Sequence, residues 1–238
     1  MRHLPEVVAV ARERTPEVPV QLMPGTARWN VIDGLSPSGN VGVELGVAAG
    51  SFSARMVQSG RFRAFFGVDA YTDGHGVQEY QAALRATGLW SEYRLLRMSF
   101  DQAALLFADQ SLDFIYVDGF AHTGCEGGRT LADWYPKLRP GGIMAGDDYH
   151  FDDWPLVVWA VHEAAAQLKV PVRVTDHVQA ETYNRYPSWS FVRPTNAPQA
   201  LRFSDELRAF SDAEKARIGA LRKAARVERR KAALRGET

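Results

Sequence analysis

The segment Val41–Met56, VGVELGVAAGSFSARM, contains the features that decide the fold of this chain. It starts with an apolar run of the kind that forms a buried parallel strand. A turn with Gly46 and Gly50 follows, and Ser51 is expected to cap a helix over Phe52–Val57. Glycine lets a backbone approach a ligand closely, and a helix N-terminus has N–H groups to offer. The segment therefore predicts a nucleotide-binding turn.

Glu44 stands two residues before the first glycine of this turn, in the pattern E-x-G-x-x-x-G. A carboxylate at that position repels the pyrophosphate of a dinucleotide and attracts a ligand with an amino group. The sequence has no G-x-G-x-x-G, which argues against a nicotinamide-dependent oxidoreductase on a similar sheet. A turn that only packs the strand against the helix is the remaining alternative.

Length and composition fit one α/β domain with appendages. The chain has 238 residues, 46% of them hydrophobic, and 28 basic residues balance 28 acidic ones. This balance gives no general attraction to nucleic acid or to an anionic membrane. We divide the chain into an N-terminal helical adapter (1–39), a core domain (40–195) and a C-terminal helical extension (196–238).

Several features predict a cytoplasmic protein that does not bind a membrane. No apolar run approaches the roughly 20 residues that cross a bilayer. Proline and charge interrupt the N-terminus too early for a secretory signal. Cys125 is the only cysteine, so no intrachain disulfide can form and a reducing compartment is the default.

Beyond the glycine turn, strand and helix patterns alternate. The predicted strands are Val41–Leu45, Phe62–Val68, Tyr93–Met98, Asp113–Val117, Ile143–Gly146, Val172–Thr175 and Ser188–Arg193. The helices predicted between them include Val77–Thr87, Asp101–Phe107 and Pro155–Leu168. This spacing predicts an α/β fold with a doubly wound, Rossmann-like, seven-stranded and mostly parallel sheet, with helices on both faces.

Acidic or small polar residues follow most of the predicted strands, and ligands bind beyond the carboxyl ends of such sheets. Asp69 comes about 20 residues after the turn, where a carboxylate accepts hydrogen bonds from ribose hydroxyls; its alternative role is to cap the next turn. Ala70 and Tyr71 would then line the ribose. Ser99 and Phe100 would lie at the base, although Phe100 suits the core equally well.

Three further carboxylates are expected to converge at this edge of the sheet. Asp118, Asp147 and Asp148 follow two strands that we expect to be neighbours. Carboxylates are the ligands that Mg²⁺ prefers, and an ion would offset their repulsion. In the alternative, Asp118 belongs to the cofactor pocket and the pair caps the next helix. His122 is the candidate general base because its unperturbed pKa is near 6.5; a loop histidine bonded to backbone is its alternative.

The segments SLDFIYVDGFAHTG and LADWYPKLRPGGIMAGDDYH, together with SWSFVRP, carry a family resemblance. They resemble the small class I S-adenosylmethionine (SAM)-dependent methyltransferases that include metal-dependent sugar and natural-product O-methyltransferases. The resemblance covers roughly residues 40–194 and implies methyl transfer from SAM to a hydroxyl group of a small molecule, with Mg²⁺ assistance. A metal-independent methyltransferase and a catalytically silent binding subunit are the alternatives.

The resemblance also assigns roles to residues. Glu44, Gly46 and Gly50 match the SAM motif, Asp69 the ribose-binding acid, and Asp118, Asp147 and Asp148 the Mg²⁺ ligands. The implied cofactor pocket is completed by Ala48, Ser51, Phe52, Ala70, Tyr71, Ser99, Phe100 and Asp118. Ala48 replaces a glycine that many family members have, which is tolerable if its φ is negative.

The C-terminal extension lies outside the resemblance. It predicts a helix from Ser204 with a second start at Ser211-Asp212, a thin apolar stripe and a basic later part. Packing on its own domain or on a partner subunit is the main interpretation, which suggests a homo-oligomer formed through terminal helices. Binding to RNA is disfavoured because the basic part has no aromatic residue for base stacking.

Overall fold

The computed structural model describes residues 4–72, 76–88, 90–118, 126–177 and 185–235. The strands are β1 (Val20–Met23), β2 (Asn40–Leu45), β3 (Phe62–Val68), β4 (Tyr93–Leu96), β5 (Leu112–Val117), β6 (Leu138–Gly146), β7 (Val172–Thr175) and β8 (Trp189–Val192). The helices are α1 (Pro5–Arg14), α2 (Ser51–Gln58), α3 (Val77–Thr87), α4 (Phe100–Ala104), α5 (Arg129–Trp134), α6 (Pro155–Leu168) and α7 (Asp205–Arg235). Short 3-10 helices span Arg28–Ile32 and Tyr135–Lys137.

The strands form one sheet in the order β1-β7-β8-β6-β5-β2-β3-β4. All neighbours are parallel except β8, which runs antiparallel to both β6 and β7. The predicted doubly wound and mostly parallel sheet is therefore confirmed, with eight strands rather than seven. The strand that sequence patterns missed is β1, a four-residue edge strand between Pro19 and Pro24 whose Val20 and Leu22 are exposed. Its four residues are too few to show an alternation of apolar and polar side chains that would distinguish a strand from a loop.

Side chains of the central strands alternate between two apolar layers. On β5, Ile115 and Val117 belong to the larger core with Trp134 and Trp159, beneath α1, α4, α5, α6 and α7. Phe114 and Tyr116 point the other way, into the core that includes the 3-10 helix Arg28–Ile32 and α2. Helices thus cover both faces of the sheet, as the sequence predicts.

Three predicted boundaries differ in ways that concern the site. Gly50, not Ser51, is the N-cap of α2, with a φ of 82° that suits glycine. Helix α4 begins one residue earlier than expected, with Ser99 rather than Asp101 as its N-cap. Strand β6 is longer than predicted because the sequence Pro140-Gly141-Gly142 continues the strand instead of forming a turn.

The C-terminal extension is one helix, α7, so the predicted second start at Ser211-Asp212 is wrong. Ser211 is fully buried inside this helix, and Leu207 packs into the larger core. The chain just before α7 lies against the glycines that precede α5, where a Cβ on Gly128 would come within 2.5 Å of the Phe203 ring. Among the described residues, no helix is both long and apolar enough to span a bilayer.

Gly67 on β3 shows how tightly the sheet and the glycine turn pack. A Cβ at this position would lie 2.0 Å from the Tyr93 hydroxyl and 2.7 Å from a methyl of Val47. We predict that Gly67→Ala lowers the free energy of unfolding by about 2 kcal/mol because the rigid Tyr93 ring must shift. Gly219→Ala is the control, since its Cβ would meet open space on α7; it should be neutral or stabilising. Urea unfolding measures both, and equal stability of Gly67→Ala and the parent protein would contradict the packing described.

Candidate functional site

The glycine turn between β2 and α2 has an unusual backbone. Gly46, Ala48 and Gly50 all have positive φ, with values of 99°, 46° and 82°. The negative φ that would make alanine tolerable at position 48 is therefore absent, and Ala48 adopts a conformation that is unfavourable for a side chain with a Cβ. At Gly50 a Cβ would also lie 2.9 Å from the Cα of Ala83 on α3. The turn is thus a tight loop that brings its backbone to the carboxyl edge of the sheet.

Asp69 ties the end of β3 to this turn. Its Oδ2 accepts hydrogen bonds from the N–H groups of Val47 (3.0 Å) and Ala48 (3.1 Å), and its Oδ1 accepts one from Tyr71 N–H (2.8 Å). The Tyr71 hydroxyl in turn donates to Ala48 O at 2.9 Å. The capping role considered for Asp69 is therefore present, and the carboxylate is held at the turn. Its role toward ribose stays a prediction.

Glu44 is buried on β2 beneath the turn. Its carboxylate accepts a short hydrogen bond from the Ser53 hydroxyl on α2, and the Tyr93 hydroxyl donates to Ser53 Oγ at 3.0 Å. Burial raises the pKa of Glu44 well above its ordinary value; Ser53 and Arg28 oppose the shift, whereas Asp118 and Asp69 add to it. A cation bound nearby would favour the charged form of Glu44.

Arg28 is the residue of this site that sequence analysis missed. It comes from the N-terminal segment and lies buried at the junction of β5 and β6, where its Nη2 bonds Asp118 and its Nη1 lies 3.7 Å from Asp147 Oδ2. Its guanidinium also lies 5.0 Å from the Phe52 ring centroid and 5.4 Å from that of Tyr116. Its signal in the sequence is a basic residue at the start of a short apolar helix, next to Trp29. That ring instead contacts Arg55, at 4.3 Å.

The structure does bring Asp118 and Asp147 together at the ends of two neighbouring strands. Val117 pairs with Gly146 in the β5–β6 register, so the next residue of each strand lies at the same edge. Burial raises the pKa of Asp147, Arg28 opposes this rise, and Asp118 and Asp148 reinforce it. Asp148 is also buried and has a φ of 60°.

The predicted magnesium site receives no support from this arrangement. Within the described part of the chain, no three carboxylate, histidine or cysteine side chains are placed to hold a metal ion. Mg²⁺ needs oxygen ligands at about 2.1 Å in a near-octahedral array. Here a buried guanidinium already bonds one carboxylate and lies beside the second. The residues present therefore fit an arginine rather than a divalent cation.

The other residues that were predicted to line the cofactor pocket differ in where they lie. Phe52 stacks on Tyr116 at 4.0 Å and so lines the Arg28 pocket, while Ser51 is exposed at the start of α2. Ala70 is half-buried between Asp69 and Tyr71. Ser99 begins α4, and Phe100 packs against the larger core, as its core alternative predicts. The predicted contacts of these residues with a cofactor stay predictions.

The histidine hypotheses have mixed outcomes. His122, the predicted general base, and His75 lie outside the described residues. His162 is buried, where its ring nitrogens lie 2.6 Å from the Tyr149 hydroxyl and 2.8 Å from Pro16 O. His150 Nδ1 accepts a hydrogen bond from Asp153 N–H at 3.2 Å, as in a polar loop.

Glu126 is a second candidate that sequence analysis did not name. It lines a small cavity of about 20 Å³ together with Asp147, Val157 and Trp189, which is room for one water molecule. Burial raises the pKa of Glu126 to about 7, although the Thr130 hydroxyl opposes the shift. The carboxyl is therefore poised to exchange a proton near neutral pH, beside an acid of the site edge.

A model of a methyltransferase domain matches residues 40–149, a little under half of the chain. The matched segment runs from β2 through the glycine turn to the acids that follow β6. Residues 40–149 are therefore similar to a methyltransferase domain. None of the curated proteins matches this sequence.

Solved structures resemble the chain at low identity. A SAM-dependent methyltransferase from Mesorhizobium loti is 23% identical over 53% of this chain and 55% of its own, with a TM-score of 0.41, so the chain spans about half its length. A precorrin 8w decarboxylase from Methanobacterium thermoautotrophicum is 20% identical over 70% and 90%, with a TM-score of 0.50. A spermidine synthase from Thermotoga maritima is 12% identical over 78% and 68%, with a TM-score of 0.54. The two likenesses with TM-scores of 0.50 and 0.54 show the fold alone, and they assign no substrate.

The strained Ala48 gives a direct test of the turn geometry. We predict that Ala48→Gly stabilises the protein by about 0.5–1 kcal/mol, because glycine adopts positive φ without steric cost. Ala49→Gly is the matched control; Ala49 does not have positive φ, and its replacement should destabilise the protein. Thermal unfolding compares the two, and destabilisation by both would contradict the left-handed conformation of Ala48.

Glu126 predicts a pH-dependent stability. Since its pKa rises from 4.5 to about 7, the folded protein binds more protons than the unfolded chain between these values. The contribution of this carboxyl to the free energy of unfolding is therefore fully present below pH 4.5, and it is lost as the pH rises through 7. We predict that Glu126→Gln is more stable than the parent at pH 8 by about 1–3 kcal/mol, with a smaller difference at pH 5. Glu6→Gln, on the exposed surface of α1, is the control. A Glu126→Gln difference that does not change with pH would contradict the raised pKa.

Proposed function

We propose that this protein is a SAM-dependent methyltransferase that transfers a methyl group to a hydroxyl oxygen of a small molecule. The match of residues 40–149 to a methyltransferase domain supports the transferase part. The arrangement of charges around the glycine turn supports SAM as the cofactor, and the exposure of Asp118 at the rim supports a hydroxyl acceptor. The fold alone does not select oxygen, because a carbon methyltransferase has a similar structure at 14% identity and a TM-score of 0.50.

The observation that carries the proposal is the buried carboxylate beneath the glycine turn. Glu44 is buried two residues before Gly46 and bonds Ser53 on α2, whereas Asp69 bonds the backbone of Val47 and Ala48, so one acid adjoins the turn and the other contacts it. A pyrophosphate placed there would be repelled by both acids. SAM instead brings a sulfonium and an ammonium group, which these carboxylates attract. The turn thus suits a cationic nucleoside better than a dinucleotide.

Asp69 has capacity left for a ligand. A carboxylate offers about four lone-pair sites, and backbone N–H groups of Val47, Ala48 and Tyr71 use three of them. The remaining site suits one ribose hydroxyl. Because the backbone bonds fix the carboxylate in advance, little ordering cost remains for the ligand to meet.

Asp118 is the group that we assign to the acceptor. It follows β5 directly beside the turn, its N–H donates to Leu45 O at 2.8 Å, and its side chain is 22% exposed, more than that of Asp147. A carboxylate there accepts a hydrogen bond from an acceptor hydroxyl and aims its oxygen. SAM, when bound, supplies an electrophilic methyl group on its sulfonium. Arg28 holds the Asp118 carboxylate in place through their ion pair.

The proposal predicts how SAM affinity depends on Glu44. Glu44→Gln keeps the size of the side chain and its acceptor for Ser53, but removes the charge. We predict that this change raises the Kd for SAM about tenfold or more, in line with the loss of one charged contact. Calorimetric titration with SAM and with NADH measures the affinities, and a methylation assay with polyhydroxylated acceptors measures activity.

The matched control is Asp109→Asn, an exposed acid that pairs with Lys137 before β5. It should leave the Kd for SAM unchanged. Binding of NADH in preference to SAM, or an unchanged SAM affinity in Glu44→Gln, would contradict the proposed cofactor site. Tight SAM binding with methylation of carbon or nitrogen acceptors alone would contradict the hydroxyl part only.

A further inference from the structure

One cation, Arg28, lies beside both of the carboxylates that follow β5 and β6. Asp118 and Asp147 follow β5 and β6, which pair in parallel with Val117 opposite Gly146. Their carboxylates approach the same guanidinium, that of Arg28, which bonds Asp118 and lies 3.7 Å from Asp147. Arginine suits this geometry because its planar group presents several N–H donors to two carboxylates at once.

Because the site is buried, Arg28 and a divalent cation cannot both lie between these carboxylates. The side chains of Arg28 and Asp147 are only 6% and 7% exposed, so water screens their charges weakly. The guanidinium is also confined by the rings of Phe52 and Tyr116, which stack on each other at 4.0 Å. Arginine stays charged in proteins, so it cannot lose a proton to make room for a second cation. A divalent ion between these carboxylates would have to displace Arg28 or be repelled by it.

We propose that Arg28 takes the place of a divalent cation, so that Asp118 and Asp147 form a metal-independent site. The N-terminal segment then supplies part of the site through its 3-10 helix, Arg28–Ile32. Arg28 is a positioning residue, since it acts through Asp118. The part of this inference that concerns methyl transfer rests on the proposed function; the part that concerns metal binding stands on the geometry alone.

The first test uses the wild-type protein and the metal alone. Mn²⁺ serves as a paramagnetic substitute for Mg²⁺, and electron paramagnetic resonance counts free and bound ions during a titration. We expect no Mn²⁺ site with a Kd below about 1 mM, and a melting temperature that differs by less than about 1 °C between excess EDTA and excess Mg²⁺. One equivalent of Mn²⁺ bound with a Kd in the micromolar range, and lost in Asp118→Asn, would overturn the inference.

The second test removes the arginine. Arg28→Met keeps much of the packing on the rings but leaves the carboxylates without their cation, and it should lower the melting temperature by about 5 °C or more in EDTA. Mn²⁺ should then bind and recover part of this loss. The matched control is Arg139→Met. This change removes the cation from a single buried carboxylate, that of Asp113, at the opposite edge of the sheet. It should gain no Mn²⁺ site, because one carboxylate is a poor ligand set.

A parallel SAM titration separates the two proposals. Wild-type protein that binds both SAM and one Mn²⁺ at Asp118 would retain the proposed function and overturn the role of Arg28. Protein that binds neither would retain the role of Arg28 and overturn the proposed cofactor. Arg28→Lys keeps the charge but bridges two carboxylates poorly, so its kcat should fall while its KM for SAM stays near the wild-type value. If Arg28→Met does not fold, the wild-type titration decides the matter alone.

Discussion

The buried ion pair of Arg28 with Asp118, with Asp147 beside it, is the interaction on which the site depends. Removing one partner of a buried pair typically costs about 3–5 kcal/mol, because the charge that remains is no longer compensated. Here the loss would leave two carboxylates close together at the end of neighbouring strands. The pair also joins three separate parts of the chain: the N-terminal 3-10 helix, β5 and β6. It therefore fixes the position of the segment that precedes the sheet as well as the acids that follow its strands.

Around this pair the carboxyl edge carries more acid than base among the residues that line it. Glu44 and Tyr116 lie opposite each other in the β2–β5 register and point to the same face, where Arg28 and Phe52 also lie. Burial raises the pKa of Glu44, so the carboxylate form there has a free-energy cost that a cationic ligand offsets. In the proposed function, this electrostatic preference favours a sulfonium nucleoside over a dinucleotide at the glycine turn.

Much of the fold followed from the sequence because parallel strands buried on both faces have strong patterns. The runs that became β2, β3 and β5 are apolar almost throughout, and Glu44 and Asp69 stand at fixed distances from the glycines. Patterns of this kind report local structure and burial. They place acids at one edge of the sheet, and the structure confirms that Asp118 and Asp147 meet there.

The rest depends on contacts between residues far apart in sequence. No local pattern reveals that Arg28 crosses 90 residues of chain to reach Asp118. Sequence analysis therefore expected a metal ion beside these carboxylates and did not anticipate the guanidinium. Strand β1 was missed because four residues between prolines have too few side chains to show a period. The conformation of Ala48 was misjudged because strain at a turn is set by the surrounding packing, here by Asp69 and Tyr71. Ser211 suggested a helix start, whereas tertiary packing buries it inside α7.

A crystal structure of the protein grown with SAM and Mn²⁺ tests the central claim most directly. Anomalous scattering locates manganese without ambiguity, and the electron density shows the cofactor. The account predicts SAM over the turn from Gly46 to Gly50, with Arg28 bonded to Asp118 and no anomalous peak between Asp118 and Asp147. A manganese peak between these carboxylates with Arg28 displaced, or SAM bound away from Glu44 and Asp69, would contradict it.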